Sequence, residues 1–393
     1  MAKVTNQVII IKKPICIGVI GGGQLGKMIA QEAKRMSLKV IILDPSKECP
    51  ASAVSDEVII ADFKDDIAIN KLASKSDVLT YEIELANSVA LRGLESKKYP
   101  VYPSPEILRI IQNKYRQKSF LKENNIAVPK FDIIHSEACL QKLCSRYSLP
   151  AMLKASEDSY DGRGNFLITS KNKIHSAFVF FEGKECMLEE LVPFIKEISI
   201  MVARNSSGDI ESFPVVENIH KKSILDMTIV PARISEKVSI KAKKIAEKIV
   251  QVLKGTGIFG IEMFVTTNES ILVNEIAPRP HNSGHYSIEA CSISQFEQHI
   301  RAILDLPLSK PRLLSPAVMV NILGSDKHSG PYTIKGLKKL FSIPGVKLHV
   351  YGKKISTPRR KLGHITVTAC TVEEAIARAE KVRKAIKLVV EET

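Results

Sequence analysis

Between Gly257 and His285 the chain reads GIFGIEMFVTTNESILVNEIAPRPHNSGH, two apolar runs around the polar turn TNES, then a loop of charged and amide side chains. Apolar runs flanking a short polar turn predict a β-hairpin. Each strand carries one acid, Glu262 and Glu275. A turn at Asn268–Glu269 sets them directly opposite on one face, with Cβ atoms about 5 Å apart, where like charges repel. A one-residue shift of the turn leaves them neighbours. Two readings account for the pair. A hard cation sits between them, with Mg²⁺ and substrate phosphates the usual case, or they are rim carboxylates neutralised by Lys or Arg. The loop beyond groups Asn274, Arg279, His281, Asn282 and His285 into a polar cluster suited to an anion.

Two stretches upstream add to this. In AMLKASEDSYDGRGN, residues 151–165, Lys154 ends an apolar strand and a glycine-containing segment follows. A strand lysine beside a glycine loop can hold phosphates from two sides, although D-G and G-R-G are also ordinary turns. In CMLEELVPFIKEIS, residues 186–199, an apolar strand exits through Glu189, Glu190, Leu191 and Val192, with Glu197 shortly after. Main-chain groups at such an exit can pair with an adenine edge, and a nearby carboxylate can take ribose hydroxyls. A charged strand end reads equally simply.

The N-terminal GVIGGGQLGKMIAQEAKRMSLKVIILDP, residues 18–45, places Gly21, Gly23, Gly26 and Asp44 in a dinucleotide-binding fingerprint. Strand and helix patterns alternate from Ile15 to about Pro105, which predicts a doubly wound parallel sheet. A block from Lys114 to Leu308 mixes apolar strands with helices, and the tail carries short strands and one last helix. The expected organisation is a Rossmann-like domain over 1–113 with an extension at 1–14, a second domain over 114–308, and a small α+β domain over 309–393.

The 393 residues carry a net charge of +15 with basic and acidic residues interspersed. Without an aromatic-rich basic stripe, this favours a solvated surface or small phosphorylated ligands over nucleic acid. No apolar run reaches the roughly 18 residues of a membrane span, and no signal peptide is evident. Seven cysteines without a C-x-x-C pair read as free thiols of a cytoplasmic protein.

Together, Lys114, Lys154, SYDGRGN, EELV, Glu197, Glu262 and NEIAPRPHNSGH follow the order and spacing of the ATP-grasp superfamily. Within it, GGGQLGKM, TYEIE, YDGRG, VVENIHKKSIL, the run from Asn274 to Leu308 and RRKLGHITV resemble the N5-carboxyaminoimidazole ribonucleotide synthetase family, over about Ile15 to Ala369. The resemblance implies a biotin-carboxylase-like N-terminal domain that binds no dinucleotide, an ATP-grasp domain with a mobile lid over about 125–190, and a homodimer. It implies ATP-dependent carboxylation of 5-aminoimidazole ribonucleotide with bicarbonate, through carboxyphosphate, in purine (IMP) biosynthesis.

Residue by residue, it implies Mg²⁺ on Glu262 and Glu275 with Asn274 beside them, and phosphates on Lys114, Lys154 and the loop Ser159, Tyr160, Asp161, Gly162, Arg163, Gly164 and Asn165. Adenine would lie against Glu189, Glu190, Leu191 and Val192, the ribose at Glu197, and His220 beside the nucleotide. Arg279, His281 and Asn282 would orient bicarbonate and stabilise carboxyphosphate. Tyr160, Arg163, Lys353 and Arg360 would hold the ribonucleotide, with Gln24 and Glu82 at its edge.

Two departures stand out. Glu157 and Asp158 put negative charge near the phosphate loop, and Lys114 stands where arginine is frequent, keeping the charge without the bidentate fork. The alternatives are another ATP-grasp ligase, of the formate-dependent glycinamide ribonucleotide transformylase or biotin carboxylase type, or an oxidoreductase resting on the glycine fingerprint.

Overall fold

The run Cys16–Ile20 is buried at every position, as expected of a strand covered on both faces. It lies inside a four-stranded parallel sheet in the order Glu57–Ile60, Lys39–Asp44, Cys16–Ile20, Val78–Tyr81. The structure, a computed structural model, describes residues 14–157, 164–181 and 184–390. Helix Gln24–Arg35 buries Leu25, Met28, Ile29 and Ala33. Its core is completed by Phe296, Ile300 and Ile303 from the distant helix Gln295–Ile303, so the first domain is anchored on the second. In open sheets of this kind ligands gather at the carboxyl ends of the strands. Here those ends deliver Gly21–Gly23, Asp44 and Glu82–Glu84.

A nine-stranded antiparallel sheet forms the body. Its path runs Ile271–Ala277, Gly257–Thr266, Phe194–Arg204, Val216–Lys221, Ile224–Val230, Ala317–Leu323, Lys361–Thr368, Val346–Val350, with Ile210–Ser212 paired to Phe194–Arg204. Helix Glu236–Leu253 is capped by Ser235, whose side chain accepts from Val238 N, and it ends at Lys254 in the left-handed region. It buries Val238, Ala242, Ala246, Ile249, Val250 and Leu253 against the sheet. Each large aliphatic side chain buried there contributes about 1.5–3 kcal/mol, which keeps the hairpin Gly257–Ala277 on a rigid support. The sheet is continuous through the pairing of Ile224–Val230 with Ala317–Leu323, so the boundary expected near Leu308 is not a break in the sheet.

A separate antiparallel sheet, ordered Phe131–Ile134, Cys186–Glu190, Ala151–Ala155, Asn165–Ile168, has its own core around Leu140, Leu153, Ile168 and Leu188. It forms one wall of a cleft whose other wall is the hairpin of Gly257–Thr266 and Ile271–Ala277. All seven cysteines are free. Among the described residues no helix is long and apolar enough to cross a membrane.

Candidate active site

The cleft between the sheets measures about 2160 Å³ and reaches from the separate antiparallel sheet to the glycine loop. Glu262 and Glu275 pair across the hairpin on its floor. The turn itself differs from the two-residue form expected. Thr266 N donates to Ser270 O at 3.0 Å around the loop Thr267–Glu269, with Glu269 at φ +59°. That loop alone would set Glu262 opposite Asn274. A β-bulge between Glu262 and Met263 inserts one extra residue on the partner strand and restores the Glu262–Glu275 pairing. The strand edge is braced from helix Lys114–Glu123. Ile276 N donates to Gln117 Oε1 at 3.0 Å, and Lys118 Nζ donates to Asn274 O at 3.2 Å. Burial, then the charge of Glu275, pushes Glu262 up to about 7. Lys114 Nζ lies 3.5 Å from Glu275.

Opposite, Lys154 Nζ lies 2.5 Å from Glu189 Oε1, and Lys118 Nζ lies 2.7 Å from Glu189 Oε2. Burial opposes the charge on Glu189, but the two lysines outweigh it and pull its carboxyl down to about 2. The Glu189 side chain is thus engaged by two lysines. Leu191, Val192 and the main chain remain on the cleft wall with Glu190, Met152 and Phe264. Glu197 is hydrogen-bonded to His220 Nδ1. Burial works against the His220 cation, yet the bond and charge of Glu197 leave its pKa raised.

At the far end Arg279 contacts Glu84 Oε1 at 2.8 Å and Pro280 O at 3.1 Å, while its buried Nε has no hydrogen-bond partner among the described residues. His281 Nε2 lies 3.6 Å from Glu262 Oε1, and Nδ1 lies 2.9 Å from Ser283 Oγ. Burial, then Arg279, holds His281 well below its usual pKa. Asn282 trades amide hydrogen bonds with Asn321, at 3.1 and 2.6 Å. That pairing ties the loop to the strand Ala317–Leu323.

The glycine loop is already filled by the protein itself. Glu82 accepts from Gly23 N, Leu25 N and Gly26 N at 2.7, 3.0 and 3.1 Å, taking the helix N-terminus where a pyrophosphate would lie. Asp44 accepts from Gly22 N and Ser46 N, both at 2.8 Å, in place of a ribose. A Cβ on Gly26 would meet Gly21 O at 2.3 Å, so that glycine serves packing. Gln24, Lys353 and Arg360 line the same end of the cleft, and Arg360 Nη1 donates to Ile355 O at 3.1 Å. Asn165 opens the strand Asn165–Ile168, with Gly164 just ahead of it, and Asn165 lies on the cleft wall. The expected contacts Ser159, Tyr160, Asp161, Gly162 and Arg163, with Asp158, lie outside the described residues.

The three parts match known families in order: a ribonucleotide synthetase preATP-grasp domain over 15–112, an ATP-grasp domain over 119–296, and a phosphoribosylaminoimidazole carboxylase C-terminal domain over 317–378. The N5-carboxyaminoimidazole ribonucleotide synthase of Bacillus subtilis is 42% identical over 350 residues, covering 89% of this chain and 90% of that protein. The chain belongs to the N5-carboxyaminoimidazole ribonucleotide synthase family. A solved synthetase of this family from Thermotoga maritima superposes with TM-score 0.89 at 46% identity, over 96% of this chain and 100% of that one. The Aspergillus clavatus synthase in complex with ADP and 5-aminoimidazole ribonucleotide gives 0.87 at 34% identity, over 94% and 98%. Phosphoribosylaminoimidazole carboxylase of Saccharomyces cerevisiae is 41% identical over 373 residues, which is 92% of this chain but 65% of that longer protein.

Several residues of this synthase-family cleft escape a reading of the sequence. Lys118 and Gln117 sit on a helix whose role depends on a strand edge more than 150 positions away. Phe264 stands two residues beyond Glu262 on the same strand face, and that period was the available signal. Phe264 stacks on Phe194, with centroids 4.8 Å apart.

Proposed function

We propose that the chain carboxylates the exocyclic amine of 5-aminoimidazole ribonucleotide, consuming ATP and bicarbonate and releasing ADP and phosphate through carboxyphosphate, a step of purine biosynthesis. The observation that carries this reading is one cleft in which a paired-acid floor, the lysines Lys114 and Lys154, and the buried arginine Arg279 converge. Bicarbonate is a weak electrophile with a poor leaving group, and phosphorylation supplies a good one. The site must neutralise charge during phosphoryl transfer and exclude water afterwards.

An oxygen-only acid pair that raises the pKa of one member fits a hard divalent cation. Mg²⁺ bound at Glu262 and Glu275 would supply charge neutralisation for the β and γ phosphates. In the proposed assignment Lys114, Lys154 and Asn274 face the phosphates. Lys154 can turn from Glu189 to a phosphate because Lys118 remains as the counter-charge of Glu189. Leu191 and Val192 take adenine, and Glu197, steadied by His220, takes the ribose hydroxyls. Arg279 holds bicarbonate with its unpartnered Nε, beside His281. Lys353 and Arg360 hold the ribonucleotide phosphate near Gln24 and Glu82, with Tyr160 and Arg163 assigned there by family likeness. That likeness also supports a homodimer working in the cytoplasm.

The test uses [¹⁸O]bicarbonate. Transfer of one ¹⁸O into the released phosphate, dependent on the ribonucleotide, is the expected result. Turnover with unlabelled phosphate would overturn the carboxyphosphate route.

A further inference from the structure

His281 stands at the end of a chain of buried hydrogen bonds. Its Nδ1 lies 2.9 Å from Ser283 Oγ, which lies 2.8 Å from Ser199 Oγ. Ser199 Oγ lies 2.9 Å from Asn218 Nδ2, and Asn218 Oδ1 lies 3.1 Å from Thr228 Oγ1. Ser199, Ser283 and Thr228 are fully buried, and Asn218 is 5% exposed. The series runs from the loop of His281 and Ser283 across three neighbouring strands of the main sheet, those of Ser199, Asn218 and Thr228, so its geometry is as rigid as the sheet.

An amide nitrogen only donates, and that fixes the direction of the whole series. With Asn218 Nδ2 donating to Ser199 Oγ, the Ser199 hydroxyl proton must go to Ser283, and the Ser283 proton to His281 Nδ1. The backbone N–H of Ser283 also points at Nδ1, at 3.4 Å. A nitrogen that accepts twice carries no proton, so a neutral ring must carry its hydrogen on Nε2, the atom facing Glu262 and the cleft.

We propose that Asn218, acting through Ser199 and Ser283, is a positioning residue that fixes His281 in its Nε2–H tautomer, so that the ring offers the reacting anion a hydrogen-bond donor and not a base. This rests on the function proposed above. A donor at that place stabilises charge gathering on bicarbonate or carboxyphosphate oxygens. A lone pair there would repel them.

The test is ¹⁵N NMR of histidine-labelled protein, with the His281 signals assigned by their loss in His281→Gln. The expected pattern is a pyridine-type Nδ1 and a pyrrole-type Nε2. Asn218→Asp keeps the shape but leaves only acceptors at this side chain. It therefore keeps the bond from Thr228, reverses the three bonds running through Ser199 and Ser283 to His281 and moves the proton to Nδ1. Its ribonucleotide-dependent kcat should fall about ten- to a hundred-fold with the ATP KM unchanged. Should Asn218→Asp not fold, Ser199→Ala cuts the series and should give a mixture of tautomers. A pyrrole-type Nδ1 in the unaltered protein, or ring shifts unchanged in both variants, overturns the proposal. Failure of the proposed function appears separately, as an unaltered protein whose ADP release ignores the ribonucleotide.

Discussion

Lys118 Nζ lies 2.7 Å from Glu189 Oε2, with both side chains under 5% exposed. Removing Lys118 leaves the buried Glu189 with Lys154 as its remaining counter-charge, so Lys118→Met should cost about 2 kcal/mol, the worth of one charged hydrogen bond. It should also bind Lys154 more tightly to Glu189 and weaken ATP binding about ten-fold. Urea denaturation and nucleotide titration check both effects, and normal ATP affinity in a folded variant would remove Lys118 from the account.

The same carboxylate gives a pH dependence. Its folded pKa lies below its unfolded value of 4.5, at about 2, so its contribution is complete above pH 4.5. It is lost as pH falls through 2. At about 1.4 kcal/mol per unit this amounts to about 3 kcal/mol. Glu189→Gln should flatten the acid limb of stability measured between pH 5 and 2.

Glu262 has the opposite sign. Raised from 4.5 to about 7, it contributes stability that is full below pH 4.5 and lost as pH rises through 7, up to about 3 kcal/mol. Glu262→Gln should abolish that loss while removing metal-dependent turnover. Thermal denaturation with and without MgADP should show greater stabilisation at pH 8 than at pH 6 in the unaltered protein only.

Gly260 lies under His281, and a Cβ there would come within 2.7 Å of His281 Cβ. Gly260→Ala should displace the ring and lower kcat about ten-fold or more, with little change in the ATP KM. Steady-state kinetics beside a melting curve separates this from unfolding.

The glycine loop should bind no dinucleotide. Glu82 already fills the helix N-terminus through three backbone bonds, each worth about 1.5–3 kcal/mol for a charged acceptor. A fluorescence titration with NADH should show no saturation, and saturable binding would revive the oxidoreductase reading.

What the sequence disclosed follows the range of the interactions. The acid pair was legible because hairpin partners are set by a local turn, although the three-residue loop and the compensating bulge at Asn274 were not. A left-handed Glu269 has no strong signature, and the bulge is held by Gln117 and Lys118 from far up the chain. The glycine fingerprint was legible as a turn but silent about Glu82, 56 to 59 residues away. Asn282 reads as a polar loop residue, and its pairing with Asn321, 39 positions on, has no local signal.

ADP release from ATP and Mg²⁺ with bicarbonate, with and without 5-aminoimidazole ribonucleotide, addresses the central claim most directly. Strong stimulation by the ribonucleotide, abolished in Glu275→Gln, is the predicted result. A folded protein whose ADP release is indifferent to the ribonucleotide would contradict it.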